Sequence, residues 1–131
     1  MIVIDASALL ELLLSTDRAE AVGAIALEPD ERLHAPHLLD VEIAQALRRL
    51  VQLKEITISR AAQALDDYGG LLIERHAHRE LLPRIWQLRN AMTAYDGAYV
   101  VLAEALDAPL LTCDAKLGRS HGHRAEIEVV D

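Results

Sequence analysis

An acidic side chain placed where a hydrophobic strand gives out is the first feature of this sequence that could do chemistry. Ile2-Val3-Ile4 is a β-branched run that ends at Asp5, and Asp114 follows closely on the similar run Leu110-Leu111-Thr112. In open parallel sheets ligands bind beyond the carboxyl ends of the strands, so both acids stand where a ligand would be met. Asp96 opens the helical pattern that precedes the second of these strands. Glu42 lies in a helical pattern over 38–53. At about 100° per residue it shares a face with Gln45, Ala46 and Arg49, while Asp40 points about 200° away. Singly, each acid has a structural use: Asp5, Asp96 and Asp114 could cap a helix or turn, and Glu42 could be solvated. Together they exceed what capping needs. If they converge they repel, one pair at about 4 Å and an effective dielectric near 20 costing on the order of 4 kcal/mol. Such a cluster persists only when protonated or when it holds divalent cations, and an oxygen-only ligand set favours Mg²⁺ or Mn²⁺ over Zn²⁺.

The elements that must position these acids alternate between strand and helix. Strands are expected at 2–4, 33–35, 71–73, 110–112 and 127–130, although 71–73 could equally continue the helix before it. Helices are expected at 8–14, capped by Ser7, and at 17–27, ending at Pro29-Asp30. Further helices are expected at 38–53, from a Ser59 cap to about Tyr68, at 80–92 and at 95–106. Pro83 is tolerable only in a first helical turn. Strands alternating with helices argue an α/β fold, a parallel sheet covered on both faces.

The chain has 131 residues, room for one ordinary domain over 1–131. Hydrophobic residues make up 52% and aromatics only 3%, so Leu, Ala, Val and Ile must build the core. A formal charge of -8 argues against a protein that coats nucleic acid through a basic surface. It does not argue against an enzyme that meets phosphate through bound cations, which reverse the local field. A lone cysteine, Cys113, excludes an internal disulfide and fits a reducing compartment. Its place at the end of a strand reads as a small buried hydrophobe. No basic leader and no long apolar run is present, so a cytoplasmic protein without a membrane segment is expected.

Four blocks in order now resemble the motifs of the PIN-domain ribonucleases. They are Met1-Ile2-Val3-Ile4-Asp5-Ala6-Ser7, the stretch from Ala35-Pro36 through Glu42 to Leu47, Tyr95-Asp96-Gly97-Ala98-Tyr99, and Leu110-Leu111-Thr112-Cys113-Asp114. The length is similar to that of the VapC-type toxins of toxin–antitoxin pairs. The resemblance implies a three-layer α/β/α fold around a mainly parallel sheet of about four to five strands. It also implies that Asp5, Glu42, Asp96 and Asp114 form an acidic quartet holding one or two Mg²⁺ or Mn²⁺ ions. Ser7 and Thr112 would support the metal or its waters. The implied activity is that of an endoribonuclease leaving a 5′-phosphate and a 3′-hydroxyl, and the implied partners are RNA, a cognate antitoxin, a second copy in a homodimer, and a toxin–antitoxin hetero-oligomer. The further acid that some relatives carry after the fourth motif is absent here, where Ala115 and Leu117 stand.

Other chemistry finds less support. Six histidines include the close pairs His34 and His37, His76 and His78, and His121 and His123, yet none makes a His-Glu-x-x-His pattern. They are expected at the surface or facing RNA. Eleven of the 13 basic residues are Arg, a bias toward bidentate contacts with phosphate or carboxylate. Arg119, His121 and Arg124, in a glycine-loosened stretch beside the fourth motif, and Arg49 on the face of Glu42 are candidate RNA contacts. The apolar helices 8–14 and 17–27 could leave a groove for an amphipathic partner helix, or simply form core. A receiver-type signalling domain needs an acidic pair after the first strand, and Asp5 stands alone. A non-catalytic module that keeps the fold for RNA or partner binding is the alternative function.

Overall fold

The computed structural model describes residues 1–131 and contains five short strands and seven helices. The strands are β1 (Ile2–Ile4), β2 (Leu33–Pro36), β3 (Ile73–His76), β4 (Leu110–Thr112) and β5 (Ile127–Val129). The helices are α1 (Ala6–Leu13), α2 (Ala19–Ala26), α3 (Leu38–Gln52), α4 (Ile58–Gly69), α5 (Leu82–Gln87), α6 (Ala94–Leu106) and α7 (Ala115–Gly118). All neighbouring strands are parallel, in the order β3-β2-β1-β4-β5. The connections from β1 to β3 step one way across the sheet and those from β3 to β5 step the other way. Right-handed crossovers therefore place α1 to α4 on one face and α5 to α7 on the other. This is the expected three-layer α/β/α architecture.

The middle of the sheet is apolar because it is covered twice. Val3, Ile4, Leu110 and Leu111 have no exposed surface, as expected for parallel strands buried on both sides. Helix α6 is buried from Gly97 to Glu104 and lies against β1, β2 and β4. A β-carbon at Gly97 would stand 3.2 Å from Ile85 Cγ2, so the missing side chain lets α5 approach α6 closely. One charge is enclosed there. Glu104, 2% exposed at its side chain, accepts from Arg84 Nε and Nη2 at 3.0 Å each and from the Arg124 backbone N–H at 3.0 Å. This carboxylate thus ties α5, α6 and the segment before β5 together.

Several expected boundaries move, each for a local reason. Asp5, not Ser7, caps α1, its Oδ1 accepting from the Ala8 N–H at 3.0 Å, and the helix starts at Ala6. Thr57, not Ser59, caps α4 through the Arg60 N–H. The helix expected at 80–92 is a 3₁₀ turn, Arg79–Leu81, followed by the shorter α5. The third strand is Ile73–His76 and not 71–73, since Leu72 faces solvent at 94% exposure. An edge strand has one flank in water, and polar residues serve it well. Cys113 lies one residue beyond β4 and is half-buried, correcting its assignment to the core.

Candidate functional site

The order of the strands fixes where a site can form. The sheet reverses its direction of growth between β1 and β4, and the cleft beyond the carboxyl ends at such a switch point is where open α/β sheets bind ligands. Register supplies the residues. Val3 pairs with Leu110 and Ile4 with Leu111, so the residue that follows β1, Asp5, comes beside Thr112. Thr112 Oγ1 donates to Asp5 Oδ2 at 2.5 Å, and Ser7 Oγ donates to Asp5 Oδ1 at 2.7 Å. The two hydroxyl oxygens in turn accept backbone N–H groups, Ser7 from Cys113 at 2.9 Å and Thr112 from Asp114 at 3.0 Å. Asp5 is therefore clamped on both oxygens and is 7% exposed. Burial nonetheless raises its pKa above the ordinary carboxylate value, outweighing these bonds, and the charge of Asp96 adds to the rise.

The other three acids arrive on different elements. Glu42 projects from α3 and Asp96 from the first turn of α6, where Thr93 caps the helix through the Asp96 N–H at 3.2 Å. Asp114 follows β4 and caps α7 through the Lys116 N–H at 3.0 Å. Glu42 is pushed upward by burial and then by the charges of Asp5 and Asp96. Asp96 is pushed upward by burial and then by Asp114. The structure thus brings all four into one electrostatic group, although no three of their carboxylates approach as closely as the 4.8 Å grouping formed by His34, Glu74 and His76. One further residue belongs to the group. Tyr99, 2% exposed, donates its hydroxyl to Glu42 Oε1 at 2.6 Å. It lies on α6 one turn after Asp96, so the helix-face argument applied to Glu42 would also have found it.

Asp40 takes no part. Its carboxylate accepts from Arg75 Nε and Nη2 and from the Tyr68 hydroxyl at 2.5 Å, and Arg75 holds it below the ordinary range. A cavity of about 560 Å³ adjoins Asp96 and is lined by Arg89, Asn90, Lys116, Arg119 and His121. Two of the candidate RNA contacts, Arg119 and His121, therefore stand beside the acids. Arg124 does not, since its guanidinium lies 3.9 Å from Glu104. Arg49 is exposed near the end of α3. Arg89 belongs to the stretch 71–95, where Arg75, Arg79, Arg84 and Arg89 outnumber Glu74 and Glu80 and which the sequence offers as a second candidate RNA contact, whereas Lys116 stands in no basic run.

Three carboxyls whose pKa values are all raised make the folded chain bind protons more tightly than the unfolded one. Their stabilising contribution is complete below the ordinary carboxylate range and is lost as pH rises through the folded values. Ionised at neutral pH, they strain the fold. Asp96→Asn is accordingly expected to raise the melting temperature by about 3 °C at neutral pH, with the gain shrinking in acid. Thermal melts of both chains across pH would show it, and an unchanged or lower melting temperature at neutral pH would contradict it.

The donor set fits hard divalent cations, because it is entirely oxygen and anionic, and Asp5, Glu42 and Asp96 are desolvated by burial without a basic side chain bonded to any of them. Comparison with known proteins bears on the family and the fold. The family model for the PIN domain matches residues 2–120. The chain is 44% identical to ribonuclease VapC12 of Mycobacterium tuberculosis over 130 residues, 99% of each chain. A crystal structure of PAE2754 from Pyrobaculum aerophilum superposes with a TM-score of 0.71 at 24% identity, covering 98% of this chain and 83% of that one. A crystal structure of VapBC2 from Rickettsia felis, bound to a DNA fragment from their promoter, gives 0.67 at 15% identity with complete (100%) coverage of both chains.

Proposed function

This chain belongs to the PIN-domain family, among relatives named as VapC ribonucleases, and we propose that it is the ribonuclease toxin of a toxin–antitoxin pair. What supports the reading is the charge coupling that links Asp5, Glu42 and Asp96, and Asp96 with Asp114, around the switch point of the sheet. These four residues would hold one or two Mg²⁺ or Mn²⁺ ions. When bound, such ions lower the pKa of water and offset the charge that builds on an attacked phosphodiester. The products would be a 5′-phosphate and a 3′-hydroxyl.

The remaining roles fall to the chain's own side chains. Ser7 and Thr112 donate their protons to Asp5, so they act by orienting that carboxylate, which refines the expectation that they contact metal or its waters. Tyr99 holds Glu42. Lys116 and Arg119, beside Asp96, supply the positive charge that draws RNA phosphates to an otherwise acidic rim. The cleft formed by Leu10, Leu14, Leu50 and Ile56 along α1 and α3 suits an apolar partner segment, in keeping with a cognate antitoxin. A second copy of the chain, and with the antitoxin a hetero-oligomer, completes the proposed assembly. No helix is long and apolar enough to cross a membrane, and the cytoplasm is the compartment proposed.

The test is cleavage of total cellular RNA by the purified chain with Mg²⁺ or Mn²⁺ and with EDTA. Discrete fragments that vanish with EDTA are expected. A folded, antitoxin-free chain that neither cleaves nor binds Mn²⁺ would overturn the proposal. Tyr99 gives a finer expectation. Its hydrogen bond lowers the pKa of Glu42 against the effect of burial, and ionised carboxylates are needed to hold cations. In Tyr99→Phe the acid limb of the pH–rate profile should therefore move to higher pH, with the rate at the plateau less affected. An acid limb that stays in place would separate Tyr99 from the reaction.

A further inference from the structure

A second cluster of ligand atoms lies away from the acids, at the opposite end of the strand order from β5. His34 on β2 is in register with Glu74 on β3, and Pro36 with His76. Since alternate residues of a strand share a face, His34, Glu74 and His76 all point to one side of the sheet, and Arg75 points to the other, toward Asp40 and Tyr68. His34 Nδ1 lies 2.9 Å from His76 Nε2 and 3.7 Å from Glu74 Oε2. One ligand atom from each of the three falls within 4.8 Å of the others.

We propose that His34, Glu74 and His76 form a binding site for a divalent transition-metal ion, Zn²⁺ being the ion the donors suit best. Two ligands about 2.1 Å from zinc at a tetrahedral angle stand about 3.4 Å apart, so the 2.9 Å separation from His34 to His76 would open by about 0.5 Å and the 3.7 Å separation from His34 to Glu74 would close by about 0.3 Å. Two imidazoles and one carboxylate form a borderline-soft set that prefers zinc, cobalt or nickel to Mg²⁺. The expected quartet is all oxygen, so the two sites differ in the ions they select. His34 is 4% exposed, and burial keeps its imidazole in the neutral form that binds metal. Its Nε2 is buried without a hydrogen-bond partner, which leaves Nδ1 as the nitrogen through which it makes contacts. Glu74, by contrast, has 63% of its side chain exposed, so an ion can reach the cluster from solvent. Three protein ligands leave a fourth position open to water or another donor. The ion would fasten β3, an edge strand, to β2 and close the long connection between them.

This proposal stands apart from the reading of the acidic quartet, and its test is a binding measurement on an Asp5→Asn chain, in which the quartet is weakened. Zn²⁺ titrated by calorimetry should bind one ion per chain and raise the melting temperature by about 5 °C at saturating metal. Co²⁺ in place of Zn²⁺ should give visible d–d absorption bands. His76→Gln and Glu74→Gln are the variants of choice, since neither side chain is part of the buried core. Each should weaken Zn²⁺ binding by about tenfold or more and remove the Co²⁺ bands. Failure of the Asp5→Asn chain to bind either ion, or binding that both variants leave unchanged, would overturn the site. Cleavage of RNA plays no part in the readout, so loss of the ribonuclease reading would leave this result standing.

Discussion

Asp5→Asn is expected to lower the rate of RNA cleavage by a factor of about 10³ or more while leaving the chain folded, an effect of the size seen when a central electrostatic group is removed. Asparagine keeps the oxygen that caps α1, so the Ala8 N–H retains its acceptor. The amide can also donate to Thr112 Oγ1, whose own proton is then free to turn to Ser7, 3.1 Å away. Local structure therefore survives and a buried negative charge disappears. The folded-state pKa of Asp5 lies above its ordinary value, so ionised Asp5 costs stability at neutral pH, and the same variant should melt higher than the parent. The pairing of lost activity with gained stability is the informative result. It separates a catalytic carboxylate from a structural cap, for which both quantities would fall. Full cleavage activity in Asp5→Asn would sink the proposed role.

The largest effect on stability is expected from Arg84→Leu. Glu104 is enclosed beside α5, and its carboxylate is balanced chiefly by the two bonds from Arg84. Arg124 contributes only a backbone N–H at 3.0 Å and a guanidinium at 3.9 Å. Removing one partner of a buried pair leaves the other charge uncompensated, and the melting temperature should fall by about 10 °C or more. Replacing both, in Arg84→Leu with Glu104→Leu, should recover most of that loss. Thermal melts of the three chains decide it, and a single variant within about 2 °C of the parent would count against a strained carboxylate. The pH dependence carries the sign. Arg84 holds Glu104 below its ordinary pKa, so the stability it confers is present above the ordinary value and is lost as pH falls through the folded one. In Arg84→Leu acid should instead relieve part of the defect.

The positions of the acids were readable because each is announced by its neighbours. Asp5 and Asp114 follow short apolar strands, and Glu42 is separated from Asp40 by helical geometry alone. The structure shows Asp40 engaged with Arg75 and Tyr68. The alternation of strand and helix likewise gave the layers. What escaped depends on which strand lies beside which. His34 and Glu74 become neighbours only through the parallel register of β2 and β3, and the sequence states nothing of that register. The expectation of surface histidines is corrected for His34, whose strand is covered on both faces. Glu104 escaped for a different reason. It sits in an apolar run that reads as buried helix, and its partner Arg84 belongs to another helix whose packing the local pattern does not encode. The 71–73 run misled because apolar character was taken as burial, whereas the edge strand continues through Glu74, Arg75 and His76.

The position of β1 between β2 and β4 bears on when, during synthesis, the proposed site can assemble. At about 5–20 residues per second, the stretch from the end of β1 at Ile4 to the start of β4 at Leu110 takes on the order of ten seconds to make. Strand β1 leaves the ribosome shortly before β2 and can pair with it early, but its other neighbour, at Leu110–Thr112, follows only after β3 and α6 have been made. The clamp on Asp5 by Thr112, and the fourth acid itself, are absent until then. A chain cut short before β4 therefore lacks both the clamp on Asp5 and the fourth acid, and the proposed site is completed by the later part of the chain, not by the β1–β2 half.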